Sequence, residues 1–84
     1  MNFDVEWDPA IRHELHELWV VATDPAAVRA AAREVEERLT VDPQACGRLL
    51  SEGLWRVHVP PLLLHYTIDT ERRFVEITDV QYTG

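Results

Sequence analysis

Apolar residues recur with a period of two in three closely spaced runs over residues 54–59, 62–68 and 74–80. In the first, Trp55, Val57 and Val59 oppose Leu54, Arg56 and His58; in the second, Leu62, Leu64, Tyr66 and Ile68 oppose Leu63, His65 and Thr67. In the third, Val75 and Ile77 oppose Glu76 and Thr78. That alternation predicts three half-buried strands. They are joined by Pro60-Pro61, where two missing amide donors cannot sit inside a ladder, and by the polar turn over residues 69–73. Such a meander makes a sheet, but its inner face stays wet unless another layer covers it.

The cover lies upstream. Residues 2–7 alternate strictly, Phe3, Val5 and Trp7 against Asn2, Asp4 and Glu6, and predict a further strand. Asp8-Pro9 then supplies a helix cap and a first helical position that needs no N–H. Over residues 10–22, Ile11, Leu15, Leu18, Trp19 and Ala22 fall on one stripe of a helix, with His13, Glu14, His16 and Glu17 off it. Val20 and Val21 do not fit the stripe and read as junction packing or as exposed apolar surface.

Asp24-Pro25 repeats the start signal, and residues 26–39 form a second amphipathic helix with Val28, Ala31, Ala32, Val35 and Leu39 inward. Its outer side carries Glu34 to Arg38 and Arg33 to Glu37 at i,i+4 spacing, each worth a few tenths of a kcal/mol. A short loop between the two predicts a helical hairpin. After Asp42-Pro43 the chain to Gly53 has no sustained period and reads as an irregular or short helical connection. The expected fold is α+β in the order βααβββ, an antiparallel sheet of three to four strands covered on one face by the hairpin.

At 84 residues the chain is expected to be one domain, residues 1–84, burying roughly 60–65% of the surface of its unfolded form. No apolar run approaches the roughly 20 residues that cross a bilayer. The start, Met-Asn-Phe-Asp-Val-Glu, lacks the basic and apolar regions of a secretion signal, so a cytoplasmic protein with no membrane partner is expected. The single cysteine, Cys46, agrees with a reducing compartment.

The net charge of −7, with 15 acidic against 8 basic side chains, argues against a general polyanion binder. All 8 basic residues are arginines, whose planar guanidinium groups pair bidentately with carboxylates. The segment His13-Glu14-Leu15-His16-Glu17 has the flavour of a zinc-protease helix, but its histidines are three apart where that chemistry needs four. It reads as a solvated helix face, and neither a metal nor a cofactor is expected. Trp7 and Trp19 fall on inward faces and read as core anchors, whereas Trp55 fits either side.

The order of elements, with Val5-Glu6-Trp7-Asp8-Pro9-Ala10, Leu54-Trp55-Arg56-Val57-His58-Val59, Leu64-His65-Tyr66-Thr67-Ile68-Asp69 and Phe74-Val75-Glu76-Ile77-Thr78-Asp79-Val80, resembles the RelE/ParE superfamily of type II toxin-antitoxin toxins. The resemblance spans nearly the whole chain. It implies a plasmid-stabilisation type of gene pair in which a cognate antitoxin wraps and neutralises the toxin with a helix and an extended segment. It implies one of two targets, messenger RNA in the ribosomal decoding site or DNA gyrase. Arg56 and His58 match places where ribonuclease members carry basic residues. The arginine that such members place before the central tyrosine is replaced here by Leu63 and Leu64, and Tyr82-Thr83-Gly84 stands where they continue with basic residues and an aromatic.

Cleavage by a 2′-hydroxyl needs a base, an acid and charge stabilisation of the phosphorane. The candidates are Arg56, His58, His65 and Tyr82, and His58 and His65 would share a face with Arg56 and Thr67 if the turn sets a symmetric register. The plain reading of both histidines is half-exposed sheet residues opposite the helices. The expectation is therefore a toxin-family protein with an incomplete ribonuclease set. The alternative is a non-catalytic module on the same scaffold, in which Val20, Val21, Leu62 and Leu63 bind a protein partner or form a homodimer.

Overall fold

Three Asp-Pro pairs start three helices. In a computed structural model of the protein, which describes residues 2–84, α1 is Pro9–Val21, α2 Pro25–Val41 and α3 Pro43–Cys46. Each aspartate caps its helix through Oδ1: Asp8 accepts from the Ala10 amide at 2.9 Å, Asp24 from Ala27 at 3.2 Å and Asp42 from Ala45 at 3.2 Å. Proline at the first position forfeits no hydrogen bond, so each pair is a start signal with two independent causes.

The strands are β1 (Asp4–Trp7), β2 (Arg48–Ser51), β3 (Leu54–Val59), β4 (Leu62–Asp69) and β5 (Phe74–Tyr82). They form one sheet in the order β1-β5-β4-β3-β2, with β1 parallel to β5 and the other neighbours antiparallel. The sheet thus has five strands and is mixed, where an antiparallel sheet of three to four was expected. Strand β1 is parallel because the layer of helices carries the chain back before the meander begins, which is the crossover a parallel neighbour requires. Strand β2 escapes the periodicity because all four of its residues are exposed on an edge. Gly53, at φ 79°, closes its turn onto β3 in a backbone region open to glycine.

The meander's two uncertain faces are one. Trp55 pairs with Tyr66, Val57 with Leu64 and Val59 with Leu62, so their side chains all lie inward. On β5 the ladder skips Thr78 between the pairs His65–Asp79 and Tyr66–Ile77. This bulge brings Ile77 and Val80, three residues apart, to the same buried face. Packed on that face are Val28, Ala31, Ala32, Val35 and Leu39 of α2, the stripe read from the sequence. Helix α1 adds one buried residue, Leu15, and rests Ile11, Leu18 and Trp19 half-buried against the core.

Tyr66 links the layers. Its ring is fully buried against Trp55, with centroids 6.4 Å apart, and its hydroxyl donates to the Pro43 carbonyl at 2.7 Å. Burial pushes the Tyr66 phenol well above the usual tyrosine range, helped by the neighbouring Cys46, and burial likewise raises the Cys46 thiol. With no lysine and only one cysteine and two tyrosines, few side chains titrate between pH 9 and 11.

Above the unfolded pKa values the unfolded chain releases protons that the folded chain keeps, so stability is fully present below about pH 9 and falls as pH rises past 10. Urea midpoints measured from pH 8 to 11 should decline over this window, and Tyr66→Phe should flatten the decline. A wild-type midpoint unchanged at pH 11 would contradict this account.

Candidate functional site

The sheet face away from the helices is open, and its register assembles the polar candidates. Arg48, Arg56, His65 and Asp79 form one row across β2, β3, β4 and β5, each paired with the next. In the adjacent row His58 pairs with Leu63, and Leu63 with Gln81. Arg56, His58 and His65 therefore share a surface, as the symmetric register implied.

Tyr82 does not join them. It pairs with Leu62, whose side chain is fully buried, and so belongs to the helix-facing side of the sheet. Leu62 itself is removed from the exposed apolar set for the same reason: alternation turns it into the core, leaving Leu63 on the open face. Val20 and Val21, at the end of α1, are 85% and 75% exposed.

His65 Nδ1 lies 3.4 Å from Asp79 Oδ2 and, though buried, has no closer partner among the described residues. At that length the contact orients the ring electrostatically without being a good hydrogen bond. His58 is exposed, with Nε2 3.3 Å from Thr83 Oγ1. On α1, His13 meets Glu17 at 2.9 Å while His16 packs edge-on to Trp19 with centroids 4.5 Å apart, so the two histidines serve different neighbours.

The face is electrically polarised. Arg48 and Arg56 stand side by side on β2 and β3, whereas Glu6 pairs with Glu76 and, with Asp4 and Asp79, makes the β1 and β5 half acidic. Arg48 was missed by sequence reasoning because β2 carries no alternation. The Glu52-Gly53 turn directly before a predicted strand was the available hint of a hairpin. Chemically, the basic half can hold an anionic group between two guanidiniums, and the acidic half repels a continuous polyanion.

Comparison with known proteins places the chain in context. The family model for the ParE toxin of type II toxin-antitoxin systems (parDE) matches residues 5–83. A chain in the crystal structure of the toxin-antitoxin complex RelBE2 from Mycobacterium tuberculosis superposes with a TM-score of 0.78 at 27% identity, over 98% of this chain and 99% of that one. A chain of the archaeal RelE-RelB complex from Pyrococcus horikoshii OT3 gives 0.74 at 15% identity, over 100% and 98%. The isolated E. coli RelE toxin gives 0.70 at 12% identity, over 98% and 85%, and these last two likenesses show the fold. No curated protein matches the sequence.

Proposed function

The chain belongs to the ParE toxin family of type II toxin-antitoxin systems, and from that premise we propose that a cognate antitoxin holds it by covering the open face of the sheet. On this reading residues 1–84 act as one domain in the cytoplasm, and the protein does not cleave messenger RNA on the ribosome. The polarised open face carries the proposal. A face with two guanidiniums at one side and four carboxylates at the other suits a protein segment of matching charge pattern better than a uniformly anionic nucleic acid. The M. tuberculosis structural neighbour is itself a chain of a toxin-antitoxin complex.

The ribonuclease set is incomplete in position as well as in kind. Tyr82 faces away from Arg56, and His65 is directed to Asp79. General acid, general base and phosphorane stabilisation must meet at one phosphate, which Arg48, Arg56 and His58 alone do not provide. DNA gyrase, the other target that the family resemblance implies, is struck only if that branch's activity is retained.

A second reading, a self-associating module on this scaffold, draws on Val20 and Val21, which are exposed side by side. One set of experiments separates these readings. Co-expressed with the product of the adjacent open reading frame, the protein should copurify as a stable complex and, purified alone, leave ribosome-bound mRNA uncut. Cutting that is lost in Arg56→Ala would overturn the non-nucleolytic reading. Concentration-dependent dimers with no stable partner, dissolved by Val20→Asp, would instead favour self-association.

A further inference from the structure

We infer that the helix side of the molecule holds a carboxylate-binding pocket, built by Arg12, Arg29 and Arg33 around Trp19 and suited to a glutamate-like group. The cavity, about 290 Å³, opens between α1 and α2 beside Trp7 of β1, with Leu15 and Ala32 at its apolar wall. It is separate from the open sheet face, because Trp7 and Leu15 belong to the helix-side core.

Three of the chain's 8 arginines line this one cavity. Among the described residues none of the three has a carboxylate partner, whereas Arg38 is paired with Glu34 and Arg72 with Asp69. The carboxylate in the wall, Glu36, accepts from Trp7 Nε1 at 2.7 Å and keeps its charge, so it offsets one of the three guanidiniums and leaves two in surplus. In a protein of net charge −7, three guanidiniums without carboxylate partners around one cavity form a local basic site within an acidic molecule.

The aromatic wall fits the same ligand. Arg29 Cζ sits 5.3 Å from the centroid of the Trp19 ring, a cation–π contact that holds this guanidinium at the cavity. Trp19 Nε1 is buried and has no acceptor among the described residues, so an indole that lines the cavity carries an unmet donor.

The size selects a short group. About 290 Å³ lies just below the range of roughly 300–1,000 Å³ that takes a drug-sized ligand, and it suits one acidic side chain or a small dicarboxylate. Trp and Arg are also the residues that dominate the anchoring points of protein interfaces.

The test follows the indole N–H signals of Trp7, Trp19 and Trp55 by nuclear magnetic resonance, assigned with single Trp→Phe variants, while glutarate or a capped Glu-Leu dipeptide is added to the intact chain. The signals of Trp19 and Trp7 should shift saturably with at least one of the two, while Trp55 stays still. The double variant Arg12→Gln/Arg33→Gln, its fold verified by the dispersion of its backbone spectrum, should weaken binding about tenfold or more. Tighter binding of the dipeptide assigns the group to a protein segment, and equal binding assigns it to a free metabolite; either outcome supports the pocket. No shift with either probe, equal shifts with glutaramide or a Gln-Leu dipeptide, equal affinity for inorganic phosphate, or undiminished binding in the double variant would overturn it.

Discussion

Saturation with the cognate antitoxin is expected to raise the thermal midpoint of this protein by roughly 15–30 °C. A partner present at about 1,000 times its dissociation constant adds about 4 kcal/mol to the folded state. In a domain of 60–100 residues each kcal/mol moves the midpoint by about 4–8 °C, which brackets this 84-residue chain. The effect should depend on the basic half of the open face. Arg48→Glu/Arg56→Glu places like charges against an acidic partner segment, a juxtaposition that costs several kcal/mol, and should remove most of the shift.

Both side chains reach solvent, so the variant itself should melt close to the wild type. Scanning calorimetry of each protein with and without partner measures both quantities. A full shift retained by the double charge reversal would move the interface off the open face. The complementary Arg12→Gln/Arg33→Gln variant then shows whether the partner leans on the helix-side pocket instead.

The legibility of this fold tracks burial. Helix α2 was readable residue by residue because its stripe is packed on the sheet, and a buried stripe leaves a strict 3.6-residue period. Helix α1 was readable in extent but less so in depth, since Trp19 and Leu18 are only half-covered. Strand β2 left no alternation, only the Glu52-Gly53 turn, because no residue of it is buried and selection for alternation had nothing to act on. The bulge at Thr78 was equally silent, although it decides that Val80 faces the core.

The site followed the same logic at one remove. Grouping Arg56 with His58 and His65 needed only the register across the Pro60-Pro61 turn, which the length of the two runs fixes. Separating Tyr82 from them needed the bulge, because an uninterrupted β5 would carry every second residue from Val75 onward inward and turn Tyr82 outward. Adding Arg48 needed β2. The helix-side pocket combines residues from three elements whose relative placement no local pattern encodes; Arg12 and Arg29 read in sequence only as solvated positions, and Arg33 as a partner of Glu37, a pair that does not form among the described residues.

Replacing Tyr66 by alanine is expected to unfold most of the protein. Truncating a buried aromatic costs about 3–5 kcal/mol, and orphaning the Pro43 carbonyl adds about 1–3 kcal/mol. Small domains have total stabilities of about 5–15 kcal/mol, so the sum takes most or all of what is present. Tyr66→Phe separates the two terms, since it keeps the ring and loses only the hydrogen bond, for an expected loss of about 1–2 kcal/mol.

Gly47 packs directly against this hydrogen bond. A Cβ there would stand 1.9 Å from the Tyr66 hydroxyl and 2.8 Å from the Arg56 carbonyl, so Gly47→Ala must displace the tyrosine from Pro43 at an expected cost of about 2–4 kcal/mol. If the hydroxyl is the principal obstacle, Gly47→Ala should cost less in a Tyr66→Phe background, with a coupling of about 0.5–3 kcal/mol. Urea unfolding of the four proteins in this cycle measures it. Strict additivity would instead put the strain on the Arg56 backbone, 2.8 Å from the added Cβ, and not on the tyrosine hydroxyl.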